Sequence, residues 1–335
     1  MSRAVVRRRV EACLIRGGDF AAAYDDVLAG GAMAPSTGWI AAQRKRVERA
    51  SIAVIARGDA DFPESLQAIP DAPIALFVRG SLAALAPPGV AIVGSRRCSV
   101  HAERFARKLA RDVACSGNAV VSGLAIGIDG AAHRGALDGS AVTVAVLGSG
   151  HAHIYPRRHD RLADEISERG AIVSEHPPLT LPHQRHFPER NRLISGLSRA
   201  VVVIEAGERS GSLTTARMAL EQGREVMAVP GAPFDGRSRG CHRLIQSGAA
   251  LVDDVADVFS NLGIPMPALA KREEAALDAW TARILAAVTV EDPIGFDDLI
   301  ERLRLPVERL LEALARLEVD GFVERLDGGY IRRPL

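Results

Sequence analysis

Small residues and arginines recur together in the middle of this 335-residue chain, each set directly after a short apolar run. The sets are Gly94-Ser95-Arg96-Arg97, Ser122-Gly123, Gly148-Ser149-Gly150, Ser174-Glu175-His176, Glu205-Ala206-Gly207 and Pro230-Gly231. Glycine lets a ligand approach main-chain N–H groups, serine adds a hydroxyl, and helix N-termini favour negative charge, so together these residue types suit phosphate oxygens. Arginine gathers beside the same places. Arg157, Arg158 and Arg161 follow the third set, Arg185, Arg190 and Arg192 precede the fifth, and Arg237, Arg239 and Arg243 follow the last. Two aromatic rings stand among them, Tyr155 in Ile154-Tyr155-Pro156-Arg157 and Phe187 in His186-Phe187-Pro188-Glu189-Arg190. Cations for phosphate plus rings for bases, the rings worth about 1 to 3 kcal/mol per stacked base, is how single-stranded nucleic acid is held.

Narrower chemistries fail when tested against the residues. Gly148-Ser149-Gly150 runs into His151, Ala152 and His153 and does not complete G-x-G-x-x-G, and no Gly-Lys-Ser/Thr occurs. No nucleotide cofactor is therefore expected. A nucleoside-monophosphate phosphoribohydrolase of the lysine-decarboxylase-like Rossmann group is the enzyme alternative. Its P-G-G-x-G-T-x-x-E motif would fall on EAGERSGSLTTAR, Glu205 to Arg217, which lacks both the double glycine and the catalytic glutamate. His151, His153, His159, Asp160 and His176 are types that ligate zinc, but an H-x-H pair is short and common, and no metal is expected. Asp129 and His133, one helical turn apart, resemble an acid–base pair; a helix cap is the plainer reading of Asp129.

The elements that position these residues follow from hydrophobic periodicity. Strand-like runs lie at Ile74 to Val78, Val90 to Val93, Ala119 to Val121, Val142 to Leu147, Ala171 to Val173, Ala200 to Ile204 and Glu225 to Val229. Helix-like runs separate them at His101 to Cys115, Gly130 to Leu137, Arg158 to Glu168, Arg190 to Leu197 and Leu213 to Gln222. Alternation of this kind predicts a Rossmann-like, doubly wound α/β fold with a parallel sheet, whose ligands sit beyond the carboxyl ends of the strands. The small-residue sets mark those ends.

Around this domain, taken as residues 61–262, the chain changes character. Residues 1–60, with a helical look from Trp39 to Ile55, read as a small N-terminal helical module, SAM-like or helix-hairpin-helix-like. Residues 263–271 read as a linker, and 272–335 as a winged-helix domain of three helices and a hairpin. Its third helix carries Glu308, Glu312, Glu318 and Asp320 against Arg309 and Arg316, which disfavours groove reading and favours a protein partner or packing on the core. From Lys271 onward the net charge is −4, against +5 for the rest. Cys13, Cys98, Cys115 and Cys241 form no C-x-x-C pair, as suits a reducing cytoplasm, and no apolar run suggests a membrane span.

At the level of ordered motifs the sequence resembles the DprA family, also called Smf. The motifs are VGSR (Val93 to Arg96), SGLAIGIDGAAH (Ser122 to His133), AVLGSG (Ala145 to Gly150), YP (Tyr155-Pro156), SE (Ser174-Glu175), FPERNRLISGLS (Phe187 to Ser198), SGSLTTA (Ser210 to Ala216), GREVMAVPG (Gly223 to Gly231) and LIQSGA (Leu244 to Ala249). The resemblance implies a homodimeric, non-enzymatic protein that binds and protects single-stranded DNA in natural transformation and helps load RecA recombinase onto it. It also implies DNA contacts at Gly94, Ser95, Arg96, Ser122, Gly123, Phe187, Arg190, Asn191, Arg192, Ser210, Gly211 and Ser212, and more loosely at Arg157, Arg158 and Arg243. The looser three lie in loops where Ala152, His159 and His242 depart from the acidic residue and asparagines common in the family.

Overall fold

The computed structural model describes residues 37–86, 88–139, 141–264, 279–319, 322–326 and 328–332. The chain divides into two compact units, Met1–Pro267 and Ala268–Leu335. Most of the expected linker, and residues 1–36 of the expected N-terminal module, lie outside the described residues.

In the first unit nine strands form one sheet in the order β1-β2-β6-β5-β4-β3-β7-β8-β9. They are β1 Ile52–Ala56, β2 Ala75–Gly80, β3 Gly89–Gly94, β4 Val120–Ser122, β5 Thr143–Leu147, β6 Ala171–Ser174, β7 Ser198–Ile204, β8 Glu225–Ala228 and β9 Ala250–Leu251. The helices α1 Thr37–Arg49, α2 Glu64–Gln67, α3 Val100–Cys115, α4 Ile128–Asp138, α5 Asp160–Arg169, α6 His186–Gly196, α7 Gly211–Glu221, α8 Arg239–Gln246 and α9 Val255–Asn261 lie between and around them. From β6 through β9 the strands pair in parallel, but β2 is antiparallel to both β1 and β6. This corrects the sequence reading in two places. The sheet is mostly rather than wholly parallel, and the helical look of Trp39 to Ile55 ends at Arg49, because Ile52, Val54 and Ile55 are β-branched and the segment pairs along β2 in the central sheet.

Successive residues of a strand face opposite ways, and each face of the sheet has its own apolar layer. Val144, Val146 and Val173 enter one layer with Val93, Val121, Val201 and Val203, while Ala145, Leu147 and Ile172 enter the other with Leu124, Leu162 and Ile166. Burial on both faces explains why these strands read as unbroken apolar runs. Chain order reverses at β3: β4, β5 and β6 build outward on one side, β7, β8 and β9 on the other. The crevice beyond β3 and β7 is the topological switch point.

Two buried histidines inside this unit make its stability depend on pH. His133 Nδ1 lies 2.8 Å from Thr143 Oγ1, and His151 Nε2 lies 3.1 Å from the Ile172 carbonyl oxygen, to which it donates. Burial pushes His133 down to about 3 and His151 down to about 4. Both folded values lie below the unfolded one, so the stability they contribute is complete above about pH 6.5 and is lost as the pH falls toward the folded values. The slope is about 1.4 kcal/mol per pH unit for each proton taken up on unfolding. Asp129, whose carboxyl burial raises, works in the opposite sense. Melting temperature should therefore fall between about pH 6.5 and pH 4, and His151→Gln should flatten that slope. An unchanged slope in the variant would contradict this assignment.

The second unit holds α10 Ala279–Ala287, α11 Phe296–Leu303, α12 Val307–Val319 and the hairpin β10 Val323–Leu326 with β11 Gly329–Arg332. Ile284, Leu299, Leu310, Leu314, Leu317 and Val323 form its own core, giving the winged helix expected from the sequence. Glu308, Glu312 and Glu318 lie along α12.

Candidate nucleic-acid interface

The switch point is built from the turn that follows β3. Gly94 pairs with Ile204 of β7 so closely that a Cβ there would collide with the Ile204 carbonyl oxygen, so only glycine lets these strand ends meet. Ser95 Oγ accepts the Arg97 N–H at 3.1 Å, and Ser99 caps α3 by accepting from Ala102 N at 3.2 Å. Glu205, buried at the end of β7, receives the Ser99 N–H on both oxygens at 2.9 and 3.0 Å and the Ser99 hydroxyl as well. The turn is thus fastened to β7 from behind, and Arg96 and Arg97 stand exposed in front.

Beside the turn, α6 delivers an aromatic ring. Pro188 lies in the first turn of this helix, where its missing N–H costs nothing, and Phe187 is held over Gly148 at the end of β5. A Cβ at Gly148 would lie 2.7 Å from the Phe187 ring, so the glycine is what lets the ring rest on the main chain. The Arg96 guanidinium carbon lies 5.6 Å from the Phe187 centroid, and the half-exposed Tyr155 ring lies 5.4 Å from it at 48°. A cation over an aromatic face is attracted to it. Arg96, Gly123, Ala125, Ile126, Tyr155, Pro156, Phe187 and Arg190 line one open cleft.

Beneath the cleft a buried polar cluster sets its floor. Arg190 Nη1 donates to the Gly123 carbonyl at 2.8 Å and to the Val146 carbonyl. Asp129 accepts the N–H groups of Gly123 and Ala125 at 3.1 and 3.3 Å. Burial lowers Arg190 to about 10, opposed by the Asp129 charge, so the guanidinium stays cationic at neutral pH. Burial in turn raises Asp129, opposed first by Arg190. This corrects the reading of Asp129 as a cap of its own helix: it ties the 123–125 turn, and His133 turns instead to Thr143.

Of the residues proposed from the sequence, Arg96, Gly123, Phe187 and Arg190 come together in the cleft, and Gly94 and Ser95 shape its edge. Arg157 and Arg158 are exposed in the short helical turn Arg157–His159 that follows Tyr155-Pro156. Ser210, Gly211 and Ser212 form the start of α7, with Ser210 Oγ accepting the Ser212 N–H at 3.4 Å. Asn191 Nδ2 donates to the Gly211 carbonyl at 3.4 Å, joining α6 to that turn.

Two of those proposals are corrected. Ser122 is fully buried, its hydroxyl donating to the Ile92 carbonyl at 2.7 Å between two strands. Arg192 points away from the cleft into a buried ion pair with Glu175 at 2.7 Å, with Asp71 at 3.1 Å on its other side. Arg243 is exposed, in a surface ion pair with Glu208 at 2.9 Å that is weak enough to open to a phosphate. The histidines considered as metal ligands also disperse: His151 goes to Ile172, His159 Nδ1 to the Leu124 carbonyl at 3.0 Å, and His176 stacks on His186 at 4.1 Å. Among the described residues no three His, Cys, Asp or Glu side chains gather as a metal site. Sequence reasoning missed Ile126 as part of this region, and it named Glu205 only among the strand-end residues, without its role in holding the Ser99 turn. An acidic residue in an otherwise basic rim was the available signal for Glu205.

Comparison with known proteins places this geometry. Residues 53–263 match the family model described as DNA recombination-mediator protein A, and residues 268–329 match the DprA winged helix domain. Protein Smf of Escherichia coli is 43% identical over 279 residues, which cover 81% of this chain and 75% of that protein. DNA processing protein DprA of Bacillus subtilis is 43% identical over 202 residues, 60% of this chain and 68% of that protein. The X-ray structure of DprA from Streptococcus pneumoniae superposes with a TM-score of 0.64 at 39% identity, covering 72% of this chain and 82% of that one. A Helicobacter pylori DprA structure, described for its single-stranded DNA binding mode, gives a TM-score of 0.57 at 28% identity over 63% of this chain and 95% of that one. With matches running through both units, the chain belongs to the DprA family of DNA recombination-mediator proteins.

Proposed function

We propose that this protein binds single-stranded DNA across the switch-point cleft, with phosphates on the β3 turn and bases against Phe187 and Tyr155. The observation that carries the reading is the exposed Arg96 guanidinium over the Phe187 ring at the mouth of the cleft, a cation and a π-face offered side by side. The likeness to the Helicobacter pylori protein, described as binding single-stranded DNA, supports it. The role is one of binding rather than catalysis. Among the residues lining the cleft none is a carboxylate or an imidazole able to act as a general base, and the nearby Asp129 is spent on main-chain N–H groups. On the family relationship we extend the reading to a cytoplasmic homodimer that protects single strands and hands them to RecA recombinase during transformation. Among the described residues no helix is long and apolar enough to cross a membrane.

Four exposed arginines, Arg96, Arg97, Arg157 and Arg158, lie on the turns beside the cleft. If each neutralises one phosphate, log affinity for a single strand should fall with log salt at a slope of about −3. Titration of labelled single-stranded and duplex oligonucleotides at several salt concentrations measures this. Equal affinity for duplex, or a flat salt response, would refute the reading.

A further inference from the structure

Phe234 is 96% exposed, more than any other large apolar side chain among the described residues. Scattered surface apolar residues are ordinary, but this ring stands on a fastened loop along the same edge of the sheet as the cleft. The loop leaves β8, which neighbours β7, and β7 neighbours β3. At one end the Gly231 carbonyl accepts from His242 Nε2 at 2.9 Å. At the other, Asp235 Oδ1 accepts the Arg237 N–H at 2.9 Å, and Ser238 is buried. Arg237 Nη1 lies 4.0 Å from Glu205, the residue that holds the β3 turn. A Cβ at Gly207 would lie 3.8 Å from the Gly236 carbonyl oxygen, so the loop stands next to the turn that opens α7.

Charge beside the ring is mainly positive. Asp235 pairs with Arg237 at 3.6 Å and Glu208 with Arg243 at 2.9 Å. Arg209 and Arg239 are exposed and have no ion-pair partner among the described residues, and Arg239 lies alongside Gly236. An exposed ring on a fastened loop, with one unpaired arginine following it in sequence and another on the neighbouring turn, offers the same two groups as Arg96 and Phe187.

We propose that Phe234 is a second base-stacking platform, so that a single strand leaving the Arg96–Phe187 cleft crosses the end of β7 and lays a base on this ring with its phosphates on Arg209 and Arg239. The inference rests on the single-strand reading above. From β3 to β8 the DNA crosses two strand spacings, about 10 Å, while neighbouring nucleotides lie about 3.4 Å apart when stacked and further apart when extended, so a dinucleotide fills the first platform without reaching the second.

The test uses the full-length protein with oligothymidylates of about 2 and about 20 nucleotides, bracketing the site sizes of single-strand binders. Phe234→Ala should weaken the long strand about tenfold and leave the short one unchanged, whereas Phe234→Tyr should retain wild-type affinity for both. Wild-type affinity of Phe234→Ala for the long strand, alongside loss in Arg96→Ala, would overturn the second platform and leave the first standing. Equal weakening for both lengths together with a smaller species in sedimentation would also overturn it, making Phe234 a contact between copies. Failure of the unaltered protein to bind either length would remove the parent reading and this one with it.

Discussion

Arg96→Ala should weaken single-strand binding by about 1.5 to 3 kcal/mol, the range for charge-assisted hydrogen bonds, while leaving the melting temperature almost unchanged. The side chain is exposed, and its described contact is the Phe187 ring at 5.6 Å, an interaction worth about 0.5 to 1 kcal/mol at such sites. The carboxylates that could have made Arg96 structural are committed elsewhere, Asp129 to the Gly123 and Ala125 N–H groups. Glu175 pairs with Arg192 and Glu205 receives Ser99. Arg96→Lys should recover part of the loss, because lysine keeps the charge but not the planar fork that meets two oxygens at once. Filter or anisotropy titration gives the affinity and calorimetry the melting. Unchanged binding would remove Arg96 from the interface, and a large drop in melting would return it to the fold.

The converse is expected at Arg192. Removing it takes from the largely buried Glu175 the cation that meets both its oxygens, and breaking a buried pair from one side costs about 3 to 5 kcal/mol. We place Arg192→Ala near the lower figure, because Asp71 at the edge of the pair is well exposed and water can enter there. Affinity for single strands, measured on the folded fraction at low temperature, should stay within about threefold, since the lost charge lies within the fold and away from the cleft. Glu175→Ala with Arg192→Ala together should cost less than the sum of the two. A variant that melts normally but fails to bind DNA would mean that Arg192 reaches the strand after all.

The contrast between these arginines shows where sequence reading stops. Arg190 and Arg192 stand in one motif, FPERNR, and by residue type and charge they are equivalent. Their fates differ because residues two apart on a helix face opposite ways; what the earlier start of α6, at His186 rather than at Arg190, adds is Phe187 on the same helix. From that start, Phe187 and Arg190 lie three residues apart on one face, while Arg192 falls round the far side. Pro188 concealed the first turn, since proline ordinarily signals a break and is tolerated only at the opening of a helix. Ser122 is similar. A serine at a strand end reads as a ligand contact, but which way its hydroxyl turns depends on the neighbouring strand, and here the Ile92 carbonyl claims it.

By itself the sequence determined the alternation of strands and helices, the winged-helix unit and the residue types gathered at the strand ends, because burial on two faces and tight turns leave local traces in composition. Tertiary structure alone decided the strand order that sets β3 beside β7, the reversed β2, and the inclusion of Ile52–Ala56 in the sheet. Only that order brings Arg96 from one turn and Phe187 from a helix almost a hundred residues later to within 5.6 Å of each other. Pairing between distant strands is a matter of which apolar faces bury each other best, and no local run of residues records it.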